Sequence, residues 1–125
     1  MTGYVLDAGA LIAFERNDRN LVKLLRTACE HEAPIVIPAG VVGQLWRDGR
    51  RQARLASFLA ADGVEIDPLD DRRAREAGQL CGIAKTRDVV DASVVACARA
   101  GKHKIITSDP DDLARIDPRV ELIEL

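Results

Sequence analysis

Thiols are scarce in this chain. Its 125 residues hold three cysteines, Cys29, Cys81 and Cys97, far apart and in no CxxC or Cys/His spacing, so nothing in the pattern points to a thiol-bound metal centre or a redox pair. They read as small buried hydrophobes. No apolar stretch approaches the roughly 20 residues that a membrane span needs, and Met1-Thr2-Gly3 leads into an apolar run with no basic leader before it. The expectation is a cytoplasmic protein without a membrane partner. An excess of positive charge is also missing: 18 Lys and Arg face 20 Asp and Glu, for a net charge of -2. That argues against a domain that coats nucleic acid non-specifically. The two histidines, His31 and His103, share no metal-ligand spacing and read as solvated. No linker, repeat or low-complexity segment interrupts residues 1–125, so they read as one globular domain, long enough to bury roughly two-thirds of its unfolded surface.

What is present is an alternation of short β-branched runs and helical stretches. Strands are expected at Tyr4 to Leu6, Ile35 to Ile37, Val64 to Ile66, Lys104 to Thr107 and Val120 to Ile123. Helices are expected at Ala10 to Phe14, Leu21 to Glu30, Ala39 to Trp46, Arg51 to Ala60, Arg72 to Ala84 and Val89 to Ala100, with a short turn from Pro110 to Ile116. This is an α/β pattern with a mostly parallel sheet of about five strands flanked by helices. In the doubly wound order 3-2-1-4-5 the first and fourth strands are neighbours where the winding reverses, and a crevice opens above their carboxyl ends. Asp7 and Asp109, each just after one of those strands, would line it.

Each acid has two readings. Asp7 precedes an apolar helix and can cap it; Asp109 precedes Pro110, with Asp112 three residues on, an N-cap followed by a helix-starting proline. Asp88 and Asp91 have capping-box spacing at the start of another helix. Asp91 differs from the rest, because Val94, Val95 and Ala98 follow it at offsets of three, four and seven and place it on the buried stripe. An ionised carboxylate there is costly without a cation or good hydrogen bonds. Three clustered carboxylates with no counter-cation repel one another unless a hard divalent ion neutralises them. Arg47, Arg50, Arg51 and Arg54 crowd one segment, and spacings of three and four put several on one helical face, which suits either a solvated surface or a rim that contacts phosphate.

The ordered set Tyr4-Val5-Leu6-Asp7-Ala8, Ile37-Pro38-Ala39 leading to Gln44-Leu45-Trp46-Arg47, Asp91-Ala92-Ser93 and Thr107-Ser108-Asp109 resembles the motifs of PIN-domain ribonucleases, specifically VapC-type toxins of toxin-antitoxin pairs. The resemblance spans the chain. It implies a single PIN-like domain in which Asp7, Asp91 and Asp109 hold Mg²⁺ or Mn²⁺ and are the catalytic residues. Gln44 stands where such proteins usually have Glu; it offers a neutral carbonyl, adds no charge and leaves a second metal without a full ligand set. Asp88, Asp111 or Asp112 can supply the missing charge, Ser108 and Ser93 can orient water or phosphate unless they merely cap, and Arg47 and Arg87 can meet the RNA backbone. The implied activity is metal-assisted hydrolysis of an RNA phosphodiester, and the implied partners are a VapB-like antitoxin and a second copy in a homodimer. Val42 and Trp46, four apart, suit such an interface or the core equally.

Rival readings remain. A phosphoaspartate phosphatase also carries an Asp after its first strand but wants a second Asp two residues on, where this chain has Gly9; a receiver domain wants an acidic pair and a late Lys that are not evident. A PIN-like protein that binds RNA or a partner without cleaving is the other alternative, and Gln44 is the residue that raises it.

Overall fold

β-Branched runs flanked by helix-forming segments place the sheet. In the computed structural model, which describes residues 2–125, five strands form one sheet: β1 (Tyr4–Leu6), β2 (Ile35–Pro38), β3 (Val64–Asp67), β4 (Lys104–Thr107) and β5 (Leu122–Glu124). Their order is β3-β2-β1-β4-β5, every pair is parallel, and Val5 lies between Val36 and Ile105. This is the doubly wound arrangement the sequence led us to expect. The central strands read as unbroken apolar runs because helices cover both faces; Val5, Leu6, Ile37 and Ile105 are all fully buried. Truncating a side chain such as Leu6 to Ala at a site like this costs about 2–5 kcal/mol.

Seven helices among the described residues make the two outer layers: α1 (Ala8–Glu15), α2 (Arg19–Glu30), α3 (Ala39–Leu45), α4 (Ala53–Leu59), α5 (Asp71–Ala84), α6 (Val89–Gly101) and α7 (Pro110–Ile116). None is long and apolar enough to cross a membrane. The central helix is α6, which packs on β1, β2 and β4 and against α5 and α7. Residues 92–98 of α6 are buried without a break, which small side chains (Ala92, Ser93, Ala96, Ala98) permit by letting its neighbours approach from all sides.

Three local expectations are corrected. Residues 46–52 form a turn rather than the start of a helix, so Arg47, Arg50, Arg51 and Arg54 do not share a helical face. Gln52 organises that turn: its side-chain oxygen accepts from Arg47 N (2.7 Å) and Asp48 N (3.0 Å) while its amide donates to Leu45 O (2.8 Å). β5 starts at Leu122 instead of Val120, because Asp117 Oδ1 accepts from Arg119 N and turns the chain first. His103 is half-buried, not solvated, and its Nδ1 accepts from Gly3 N at 2.9 Å, with burial pushing the imidazole pKa down.

Candidate active site at the carboxyl ends of β1 and β4

Asp7 is the first residue beyond β1 and is buried, with 6% of its surface exposed. It caps α1, its Oδ1 accepting from Ala10 N at 2.9 Å, which is why that helix starts at Ala8 and not at Ala10. Its other oxygen, Oδ2, accepts from the hydroxyl of Thr107. Burial raises the proton affinity of this carboxyl, against the opposing effect of the Thr107 and backbone hydrogen bonds. Capping therefore uses one oxygen and leaves the residue in the crevice. α1 comes close to the end of β4 at Gly9: a Cβ there would make Ser108 Oγ rotate away and would stand 3.3 Å from Ser108 Cβ.

Thr107 is a residue that sequence reasoning passed over. It is the last residue of β4, fully buried, and besides donating to Asp7 its oxygen accepts from Asp109 N at 2.8 Å. The pairing of Leu6 with Ile106 sets the next residue of each strand side by side, a register that the sequence does not display. Only a side chain that both donates and accepts can serve Asp7 and Asp109 together.

Asp91 projects from the first turn of α6. Its backbone N–H is capped by Asp88 Oδ1 at 2.9 Å, so the two carboxyl groups sit near each other. Burial, then repulsion from Asp88 and hydrogen bonding to it, then the charges of Asp7 and Asp112, push the Asp91 pKa up to about 7. Among the described residues, none of Asp7, Asp88, Asp91 and Asp109 has a Lys, Arg or His within ion-pair distance. Negative charge is thus gathered there without a directly paired cation among the described residues.

Asp109 is placed differently. It lies between β4 and α7, is exposed, and makes no side-chain cap to α7, so the capping alternative raised for it is not what the structure has. Its proton affinity is raised by hydrogen bonding with Asp112, then by burial and by the charges of Asp112 and Asp111; its carboxyl keeps company with the start of α7 rather than with Asp7 and Asp91. Among the described residues no three His, Cys, Asp or Glu side chains converge in a ligating arrangement.

The remaining candidates divide. Gln44 is exposed on α3, one turn beyond Gly40, whose Cα faces Val90 at the start of α6; positions four apart share a helical face. No acid occurs anywhere on α3. Ser108 is exposed, whereas Ser93 is buried and donates to Val90 O at 2.6 Å, so Ser93 is neither at the surface nor free for phosphate. The guanidinium of Arg47 donates to Gly43 O and Trp46 O at the end of α3. Arg54 lies over the Phe14 ring, which stacks on Phe58. Arg87 is exposed in the turn before α6. Val42 is half-buried against the core, and Trp46, at the end of α3, keeps 38% of its surface exposed.

Comparison with known proteins agrees with this architecture. The family model described as PIN domain matches residues 4–118. Among solved structures, the chain superposes with a TM-score of 0.78 at 18% identity on VapBC2 from Rickettsia felis bound to a DNA fragment from its promoter, covering 98% of each chain. It superposes on a toxin-antitoxin complex from Klebsiella pneumoniae with a TM-score of 0.70 at 18% identity, covering 98% of this chain and 100% of that one. FitAcB from Neisseria gonorrhoeae gives a TM-score of 0.66 at 18% identity over 97% of this chain and 96% of that one. No curated protein matches the sequence.

Proposed function

Because this chain belongs to the PIN-domain family, a family of nucleases, we propose that it is a Mg²⁺- or Mn²⁺-dependent endoribonuclease and the toxin of a type II toxin-antitoxin pair. The observation that carries the reading is the gathering of acids with no paired cation around the start of α6, where burial, then Asp88, then the charges of Asp7 and Asp112 push the Asp91 pKa up to about 7. The donor set fits a hard divalent ion: carboxylate oxygens, no thiol or imidazole among them, and among the described residues no Lys or Arg within ion-pair distance. Asp7, Asp91 and Asp109 would hold it, Asp109 by turning its exposed side chain from Asp112 toward the crevice.

When bound, the ion supplies Lewis acidity toward a phosphoryl oxygen and acidifies a water for in-line attack. The chain's own groups set the stage. Thr107 fixes the rotamer of Asp7 and the backbone of Asp109 in one stroke, so two of the three acids are held relative to each other. Asp88 holds the start of α6, and through it Asp91, by capping. Ser108, exposed beside Gly9, has a hydroxyl free to orient water or phosphate. The full-length likeness to chains from toxin-antitoxin complexes supports a VapB-like antitoxin as partner; the homodimer is proposed with it from the family resemblance alone.

RNA cleavage that requires Mg²⁺ or Mn²⁺ and vanishes in Asp7→Asn tests this reading, since Asn keeps the cap to Ala10 N and the variant should stay folded. Undiminished cleavage in excess EDTA would overturn it. Growth arrest on expression, relieved by the antitoxin, tests the toxin role; normal growth with abundant folded protein counts against it.

A second reading is favoured by one feature, the absence of any acid on α3: a PIN-fold protein that binds RNA or a partner with little or no turnover. Gln44→Glu separates the two. If Gln44 borders the ion, the added charge raises divalent affinity severalfold in calorimetric titration, and RNA turnover at limiting metal rises with it. Unchanged affinity places Gln44 outside the ion's reach.

A further inference from the structure

A cavity of about 280 Å³ opens between the end of α5, the start of α6 and α7. Asp88, Asp91 and Asp112 line it, and so do two cations, Lys85 and Arg115. Both are exposed. Arg115 shares a 3.5 Å contact with Asp112, whose side chain is itself half exposed, and among the described residues Lys85 has no carboxylate within ion-pair distance. The cavity therefore carries acids and two exposed positive charges, one from the end of α5 and one from α7.

We propose that Lys85 and Arg115 are the RNA-backbone contacts of this protein, taking the phosphates on either side of the one that is cleaved. This rests on the ribonuclease reading above and adds where the strand lies. A polyanion approaching a protein of net charge -2 and a group of acids is repelled unless cations border its path, and these two are the cations that line this cavity with Asp91. The arginines singled out from sequence are placed less well. Arg47 spends its guanidinium on the carbonyls that end α3, Arg54 lies on Phe14, and Arg87 does not line the cavity. Asp91 lines the same cavity as both Lys85 and Arg115.

The test is equilibrium binding of a short labelled single-stranded RNA, followed by anisotropy across a salt series with Ca²⁺ replacing Mg²⁺, the RNA being recovered intact afterwards. Each phosphate contact contributes about 0.7 to the slope of log affinity against log salt for single strands. Lys85→Gln and Arg115→Gln should each weaken binding several-fold and lower the slope by about 0.7, and the double variant by about 1.4. Arg75→Gln, which removes an exposed partner of Asp71 on α5, should leave the slope alone, and matched thermal melts show that all variants are folded. A slope unchanged in the double variant overturns the assignment, even if the protein still cleaves RNA, and the ribonuclease reading then survives without it. A wild-type protein that neither binds nor cleaves RNA overturns both.

Discussion

Thr107 and Asp7 stand 100 residues apart in sequence, and the hydroxyl of one is hydrogen-bonded to the carboxylate of the other in the buried seam between β4 and β1. The same hydroxyl oxygen accepts from Asp109 N. A single threonine therefore joins the two acid-bearing strand ends.

Thr107→Val keeps the shape and removes both bonds. Asp7 then loses its only side-chain donor within a buried site, and the backbone N–H of Asp109 loses its partner, so stability should fall by about 1–3 kcal/mol. RNA cleavage should fall further than stability explains, and Thr107→Ser should restore most of both. Denaturant unfolding and cleavage rates on the three proteins decide the matter; a valine variant as active as wild type would make the hydroxyl dispensable.

The raised pKa of Asp91 has a thermodynamic consequence for the metal-free protein. Between the ordinary value of 3.8 and about 7 the folded protein holds a proton on Asp91 that the unfolded chain has released. Stability from this group is complete below 3.8 and declines as pH climbs toward 7. Thermal melts across that window should show the decline in wild type and lose this component in Asp91→Asn. Mg²⁺ should flatten it, with proton release on binding seen by titration in buffers of different ionisation enthalpy. A melt profile identical in wild type and Asp91→Asn would show that Asp91 carries no such proton.

Asp88 and Asp91 lie one turn apart with different duties. Asp88→Asn retains an oxygen to accept from Asp91 N and should keep most cleavage activity, whereas Asp91→Asn removes a charge from the crevice and should abolish it. Divalent affinity should follow the same division. Equal loss of activity in two equally stable variants would put Asp88 among the metal ligands.

Gly9 meets Ser108 across the gap between α1 and β4. A methyl at position 9 would overlap Ser108 Oγ and force that hydroxyl to turn, so Gly9→Ala should cost about 1 kcal/mol, the low end for overpacked sites, and should disturb cleavage. Ser108→Gly in the same chain should recover most of the stability, a positive coupling measurable in a double-mutant cycle. A fully stable Gly9→Ala would mean that Ser108 turns away at no cost.

Much of this fold was legible in the chain. Unbroken apolar runs at Val5-Leu6, Ile35 to Ile37 and Ile105-Ile106 demand burial on both faces, and that demand leads to a parallel sheet and, through the helices between, to its winding order. Asp91 was separated from Asp88 by the stripe of Val94, Val95 and Ala98, a distinction the structure keeps in their burial. Side-chain partnerships across the sheet were not legible, since they depend on register. Thr107 looked like one more β-branched strand residue, and nothing local told that it would face Asp7. The Arg47 to Arg54 segment misled because charge spacing mimics a helix; the amide of Gln52, satisfied by three backbone groups and so able to stabilise a turn, outweighed it. Asp109 was placed correctly at its strand end, but the direction of an exposed side chain with Asp111 and Asp112 as neighbours is set by their competing charges and not by the chain's pattern.

The strand order also has a meaning in time. A nascent chain emerges from its first residue onward, and β1 can pair with β2 early, but its other neighbour is β4, made about 100 residues later. Until then Asp7 has neither Thr107 beside it nor Asp91 across from it. No partial chain ending before β4 can assemble the crevice, so whatever reaction it supports is withheld from the machinery of synthesis until translation of this domain is nearly over.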